Sequence, residues 1–137
     1  MTPEAAREEL SRRADAIEGG YEMMLAYAAQ GLATDQGAAN SNQLRDHLQR
    51  FDAALTGLAQ TYRECAVALA VGPQAALDGF LKTLEADAAT TQAALRLVLG
   101  QPGISSQMID NVNASIHVRA LLTDVFIVDE ILKSKGS

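Results

Sequence analysis

Two histidines, His47 and His117, and a single cysteine, Cys65, are the side chains best suited to metal ligation, proton transfer or nucleophilic attack. A di-metal carboxylate bundle needs Glu-x-x-His on two helices, because i and i+3 face one cavity, and a Glu on each of the other two. Leu44 precedes His47 by three residues and Ala114 precedes His117 by three, so neither histidine belongs to such a motif. No other ligand pair stands at metal spacing within a helix, so the sequence predicts no metal centre and identifies no cofactor. A histidine phosphotransfer helix carries a base three residues after an exposed histidine, as His47-Leu48-Gln49-Arg50 does. Phe51 follows where such a helix has a small residue to admit its partner, which leaves a flanking surface histidine as the plainer reading of His47.

Nucleophilic catalysis needs a thiol or hydroxyl with a base in reach. Cys65 falls on an apolar seam, where a cysteine acts as a small inert hydrophobe. His117 with Glu22 or Asp110 is the remaining acid/base pairing, and no residue is assigned a catalytic role. Glu18 and Glu22 stand four apart on one helix face and repel mildly unless a cation such as Arg119 lies alongside.

The elements that position these residues are read from apolar spacing. Leu10, Ala14, Ile17, Tyr21, Met24 and Ala28 recur in steps of four and three, predicting one helix over 3–31 that opens at Thr2-Pro3-Glu4. Leu44, Leu48, Phe51, Leu55, Leu58, Tyr62, Cys65 and Leu69 keep the same rhythm over a second helix, 41–71. A third, 73–99, starts at Pro73 and carries Leu77, Leu81, Leu84, Ala88, Thr91, Leu95 and Val98. The fourth, 105–133, is mixed: NVNASIHVR alternates like a strand and VFIV is β-branched, yet Met108, Val112, Ile116, Ala120, Phe126, Ile127 and Ile131 fit a broad helical stripe. Val118, Leu121, Leu122, Val125, Val128 and Leu132 widen that stripe until it needs burial on more than one side. The expected fold is one all-α domain, an antiparallel up-down-up-down four-helix bundle with left-handed heptad packing. The surplus apolar surface of the last helix predicts a homodimer, with a monomer wrapped around that helix as the alternative.

In such a bundle the level of Gly20 meets polar and small residues on every other helix: Thr56 and Gly57, then Thr90, Thr91 and Gln92, then Asn111 to Arg119. This layer is a closed hydrogen-bond network, the wall of a cavity, or a set of solvent-facing side chains. In the cavity reading Gly20, Tyr21, Glu22, Thr91, Asn113, His117 and Arg119 are the candidate ligand-binding residues, with His117 and Arg119 favouring an anionic group. The adjacent pair Gly19-Gly20 costs a helix about 1 kcal/mol per residue relative to alanine. Close approach of a neighbouring helix, a local bend, or room for a ligand beside Tyr21 would offset it.

The chain of 137 residues is 48% hydrophobic and 20% charged, as one soluble domain is. Eleven Lys and Arg against seventeen Asp and Glu give a net charge of −6, with the bases scattered, which argues against nucleic acid and anionic membrane as partners. The lone cysteine and an N-terminus without a signal-peptide pattern point to the cytoplasm. A non-enzymatic accessory or regulatory protein acting through protein contacts is the leading expectation, with a small-molecule-binding bundle as the alternative.

Overall fold

Thr2 opens the first helix as its position requires, its hydroxyl accepting from the Ala5 N–H at 3.1 Å while Pro3 occupies the first turn. The computed structural model describes residues 1–136. Among these it contains six helices: α1 Pro3–Ala29, α2 Ser41–Leu55, α3 Leu58–Ala68, α4 Gln74–Leu99, α5 Ser106–Ala114 and α6 Ile116–Gly136. The all-helical class is as the spacing indicated. The four continuous helices are not, because the second and fourth are each interrupted.

The break between α2 and α3 falls at Thr56-Gly57, where Thr56 is extended and Gly57 adopts a left-handed φ of 67° that a side chain would strain. Breaking a helix frees carbonyls, and neighbouring side chains satisfy them here. Arg13 of α1 donates to the Ala54 and Thr56 carbonyls at 3.0 and 2.7 Å, and Gln92 of α4 donates to the Asp52 carbonyl at 2.9 Å. The apolar seam nevertheless continues across the break: Leu44, Leu48, Phe51, Leu55, Leu58, Tyr62, Cys65 and Leu69 are all buried. At the other break Ser115 is extended, and its hydroxyl accepts from the His117 N–H at 3.3 Å, starting α6 afresh. The strand-like alternation of NVNASIHVR therefore marks a helix-to-helix junction.

α1 packs on α2, α3, α5 and α6, while α4 packs chiefly on α2, α3 and α6. α1 and α2 run antiparallel, since Arg13 reaches residues 54 and 56 while Gly20 lies against Phe51. α4 runs antiparallel to α2, with Arg96 paired to Asp52 and Gln92 donating to the Thr56 hydroxyl at 3.0 Å.

The glycine pair lies within α1, and its two members differ. A Cβ on Gly20 would stand 2.7 and 2.8 Å from ring and Cβ carbons of Phe51, whereas one on Gly19 would meet the His47 ring at an ordinary 3.6 Å. Close approach of a neighbouring helix is thus what Gly20 permits, and Phe51 occupies the space beside it.

One end of the fold is held by a single buried carboxylate. Asp35, in the α1–α2 connection, is 1% exposed and accepts from Arg45 Nε at 2.7 Å, Ser41 Oγ at 2.8 Å and the Ile104 N–H at 2.7 Å. Arg45 also donates to the Leu99, Gln101 and Pro102 carbonyls. Tyr27 donates to the Ile104 carbonyl at 2.5 Å, and Ser106 donates to the Tyr27 carbonyl at 2.7 Å while accepting from the Leu32 N–H at 2.9 Å. α1, the start of α2 and the α4–α5 connection are thereby joined. The Arg45 hydrogen bond holds the Asp35 carboxyl well below the usual carboxylate range, against the opposing effect of burial.

Two predictions follow from these contacts. Gly19→Ala should raise stability by about 0.5–1 kcal/mol through helix propensity, and Gly20→Ala should lower it by about 1–3 kcal/mol through overpacking; urea unfolding of the two variants compares them. Because the folded pKa of Asp35 is depressed, its contribution is complete above its unfolded value of about 4 and is lost as pH falls below it. Asp35→Asn should cost about 2–4 kcal/mol at pH 7 and reduce the loss of stability on acidification, as thermal unfolding at neutral and acid pH would record.

Candidate functional site

The polar residues singled out by level are not brought into one site by hydrogen bonding. Gly20 is buried against Phe51, Tyr21 is half-buried against the core, and Glu22 is exposed. Thr91 is fully buried on the inner face of α4, and its hydroxyl has no hydrogen-bond partner among the described residues. Asn113 is half-buried at the end of α5 with both side-chain polar atoms enclosed and unpartnered. His117 and Arg119 are exposed on the first turn of α6. No side-chain hydrogen bond or ion pair links any two of these seven among the described residues, and Arg119 does not pair with Glu22.

His47 is half-buried beside Gly19, and Arg50, three residues on, pairs with Asp46 at 2.9 Å. The two residues line a groove of ≈ 420 Å³ between α1 and α2 with Arg12, Arg13 and Asp15. Glu9 pairs with both Arg12 and Arg13. Each guanidinium thus has an acidic neighbour, Arg12 and Arg13 sharing Glu9.

Cys65 is fully buried and its thiol is pushed up to about 11, chiefly by burial and then by the charges of Glu9 and Glu64. Among the described residues no three of His, Cys, Asp and Glu gather closely enough to hold a metal ion. Nor is any described helix long and apolar enough to cross a membrane.

Two buried acids on α6 were not distinguished by the apolar spacing. Asp129 accepts from the Tyr62 hydroxyl at 3.1 Å, and burial raises its carboxyl above the usual range. Asp124, 7% exposed, is pushed up to about 7, chiefly by burial and then by the carboxyl of Asp87 on α4. The signal for both was present: each interrupts the run Leu121, Leu122, Val125, Val128, Leu132, which α6 buries.

The opposite side of α6 is the most unusual surface of the molecule. Ile116 is 74% exposed, Phe126 51%, Ile127 44% and Ile131 45%. Sequence spacing placed these four within the same broad stripe as the core residues. The structure divides that stripe: Val118, Leu121, Leu122, Val125, Val128 and Leu132 face α4, α1 and α3, and the four others face outward with Arg119, Thr123 and Glu130. Four large apolar side chains thus stand exposed on one side of this helix. Compared with known proteins, the chain matches no family model, no curated protein and no solved structure.

The Asp87–Asp124 pair makes a signed prediction. A carboxyl whose folded pKa is raised binds its proton more tightly in the folded state, so its own contribution to stability is greatest below the unfolded value of about 4. It declines as pH rises toward about 7, where Asp124 ionises beside Asp87. Asp124→Asn should remove that decline and leave the protein more stable than the parent at pH 8, as urea midpoints across the pH range would measure.

Proposed function

We propose that this protein is a non-enzymatic helical module that acts through protein contacts made by the outward face of α6, and that it self-associates as a homodimer. The observation that carries the reading is the exposure of Phe126, Ile127 and Ile131 on a helix whose other side is already buried in the core. In this reading the six helices serve as four rods of an up-down bundle, with α2–α3 and α5–α6 each acting as one broken rod with continuous heptad seams. The rods present α6 at the surface as a rigid element. The partners are proteins, since the chain is acidic and several of its bases, Arg13, Arg50 and Arg96 among them, pair locally with Glu9, Asp46 and Asp52. A buried thiol raised well above neutral pH suits a reducing cytoplasm, because it is held as an unreactive core group.

A second reading, a small polar ligand held in the bundle near Asn113, draws on the enclosed and unpartnered amide of that residue and the orphaned hydroxyl of Thr91. In it the candidate set Gly20, Tyr21, Glu22, Thr91, Asn113, His117 and Arg119 supplies the lining.

Sedimentation velocity from about 1 to 100 μM, the range expected of a small interface, should show a concentration-dependent dimer. Phe126→Lys should abolish it without lowering stability, because the ring is half in water already. A protein that stays monomeric throughout that range would refute self-association. Native mass spectrometry of the same samples separates the second reading, in which each chain carries additional non-covalent mass.

A further inference from the structure

The outward side of α6 has a pattern of its own. Ile116, Arg119, Thr123, Phe126, Glu130 and Lys133 are all exposed and recur in alternating steps of three and four, which makes them a second heptad seam on the side opposite the core. This seam is self-complementary in one direction only. Reversing it about the midpoint between Asp124 and Val125 carries Arg119 onto Glu130, Thr123 onto Phe126 and Ile116 onto Lys133.

Each superposition is chemically apt. Phe126 meets the small Thr123, so the bulky ring fills the space that the short side chain leaves. Arg119 meets Glu130, and neither side chain has an ion-pair partner within its own chain among the described residues. Ile116 meets the aliphatic stem of Lys133, whose ammonium reaches water beyond it. A parallel pairing would instead set Arg119 against Arg119 and Glu130 against Glu130, at a cost in repulsion.

We infer that the occupant of this face is a second copy of the same chain, with the two α6 helices packed antiparallel about a two-fold axis near residues 124 and 125. The inference rests on reading α6 as the self-association surface, and adds to it the direction and the register. An isologous pair repeats every contact, so Arg119 and Glu130 form two equivalent ion pairs at either end of a Phe126–Thr123 centre. Ile127 and Ile131 flank the seam and cover it from one side. The seam from Ile116 to Lys133 is about 27 Å long at 1.5 Å per residue. A single helix pair of that length lies at the small end of specific interfaces, so the dimer is weak and its direction is set by the charges.

Charge reversal tests the register. Arg119→Glu and Glu130→Arg, measured separately by sedimentation velocity, should each weaken the dimer roughly tenfold, because each puts like charges together at both ends of the interface. The double variant Arg119→Glu/Glu130→Arg should return the dissociation constant to within about threefold of the parent, since the exchanged charges attract again in the same register. Both positions are exposed and eleven residues apart on α6, so far-UV circular dichroism should report an unchanged fold for all three variants. A parent dimer that the single reversals weaken and the double variant does not restore overturns the antiparallel register while leaving the contact surface intact. A parent that remains monomeric overturns both.

Discussion

Arg45 and Asp35 carry the constraint on which the rest of the fold depends. A carboxylate that is 1% exposed is tolerable only if every lone pair is used, and Asp35 accepts from Arg45, Ser41 and the Ile104 N–H. These donors come from the start of α2 and from the α4–α5 connection, two segments far apart in sequence. The Arg45 guanidinium then spreads its remaining donors over the Leu99, Gln101 and Pro102 carbonyls, which the end of α4 leaves exposed. One charge pair thus closes the chain at that end and sets the lengthwise position of α1, α2 and α4 relative to one another.

Given that lengthwise setting, the two helix breaks become intelligible. Gly20 of α1 is pressed against Phe51, and soon after that residue α2 gives way to α3 at extended Thr56 and left-handed Gly57. The carbonyls freed there sit within reach of Arg13 and Gln92, so the interruption leaves none of Asp52, Ala54 and Thr56 without a donor. At Ser115 the serine hydroxyl starts α6, and the packing changes with it: α5 lies chiefly on α1, whereas α6 lies chiefly on α4. Packing on α4, α1 and α3 divides the apolar side chains of α6 between core and surface. The proposed contact face is therefore a consequence of how the core is assembled.

The same division explains two acids in an apolar environment. Asp129 is compensated by the Tyr62 hydroxyl, whereas Asp124 faces another carboxyl across the α4–α6 interface and retains its proton near neutrality. Burial thus raises the carboxyl of both acids on the buried side of α6. On its outward side Arg119 and Glu130 are the charges that set the direction of the proposed association.

The helical class, the seam from Leu44 to Leu69, the Thr2 cap and the burial of Cys65 were all legible in the sequence, because each depends on residues within a few turns of one another. Short-range spacing also marked the Gly19-Gly20 pair as needing compensation, but left close approach, a bend and room for a ligand open, and the Phe51 ring beside Gly20 decided among them only in the folded structure. The Asp35 clamp lay hidden in a polar connection, since its partners are up to 69 residues away and no local pattern links them. Spacing likewise placed Phe126 and Leu122 in one broad stripe, because a helix apolar around most of its circumference has no preferred side until a neighbour is present. The sequence by itself thus determined which segments are helical and which residues can be buried. Tertiary structure alone decided which of the eligible residues on α6 are buried, because that choice belongs to the surfaces of α1, α3 and α4 against which the helix packs.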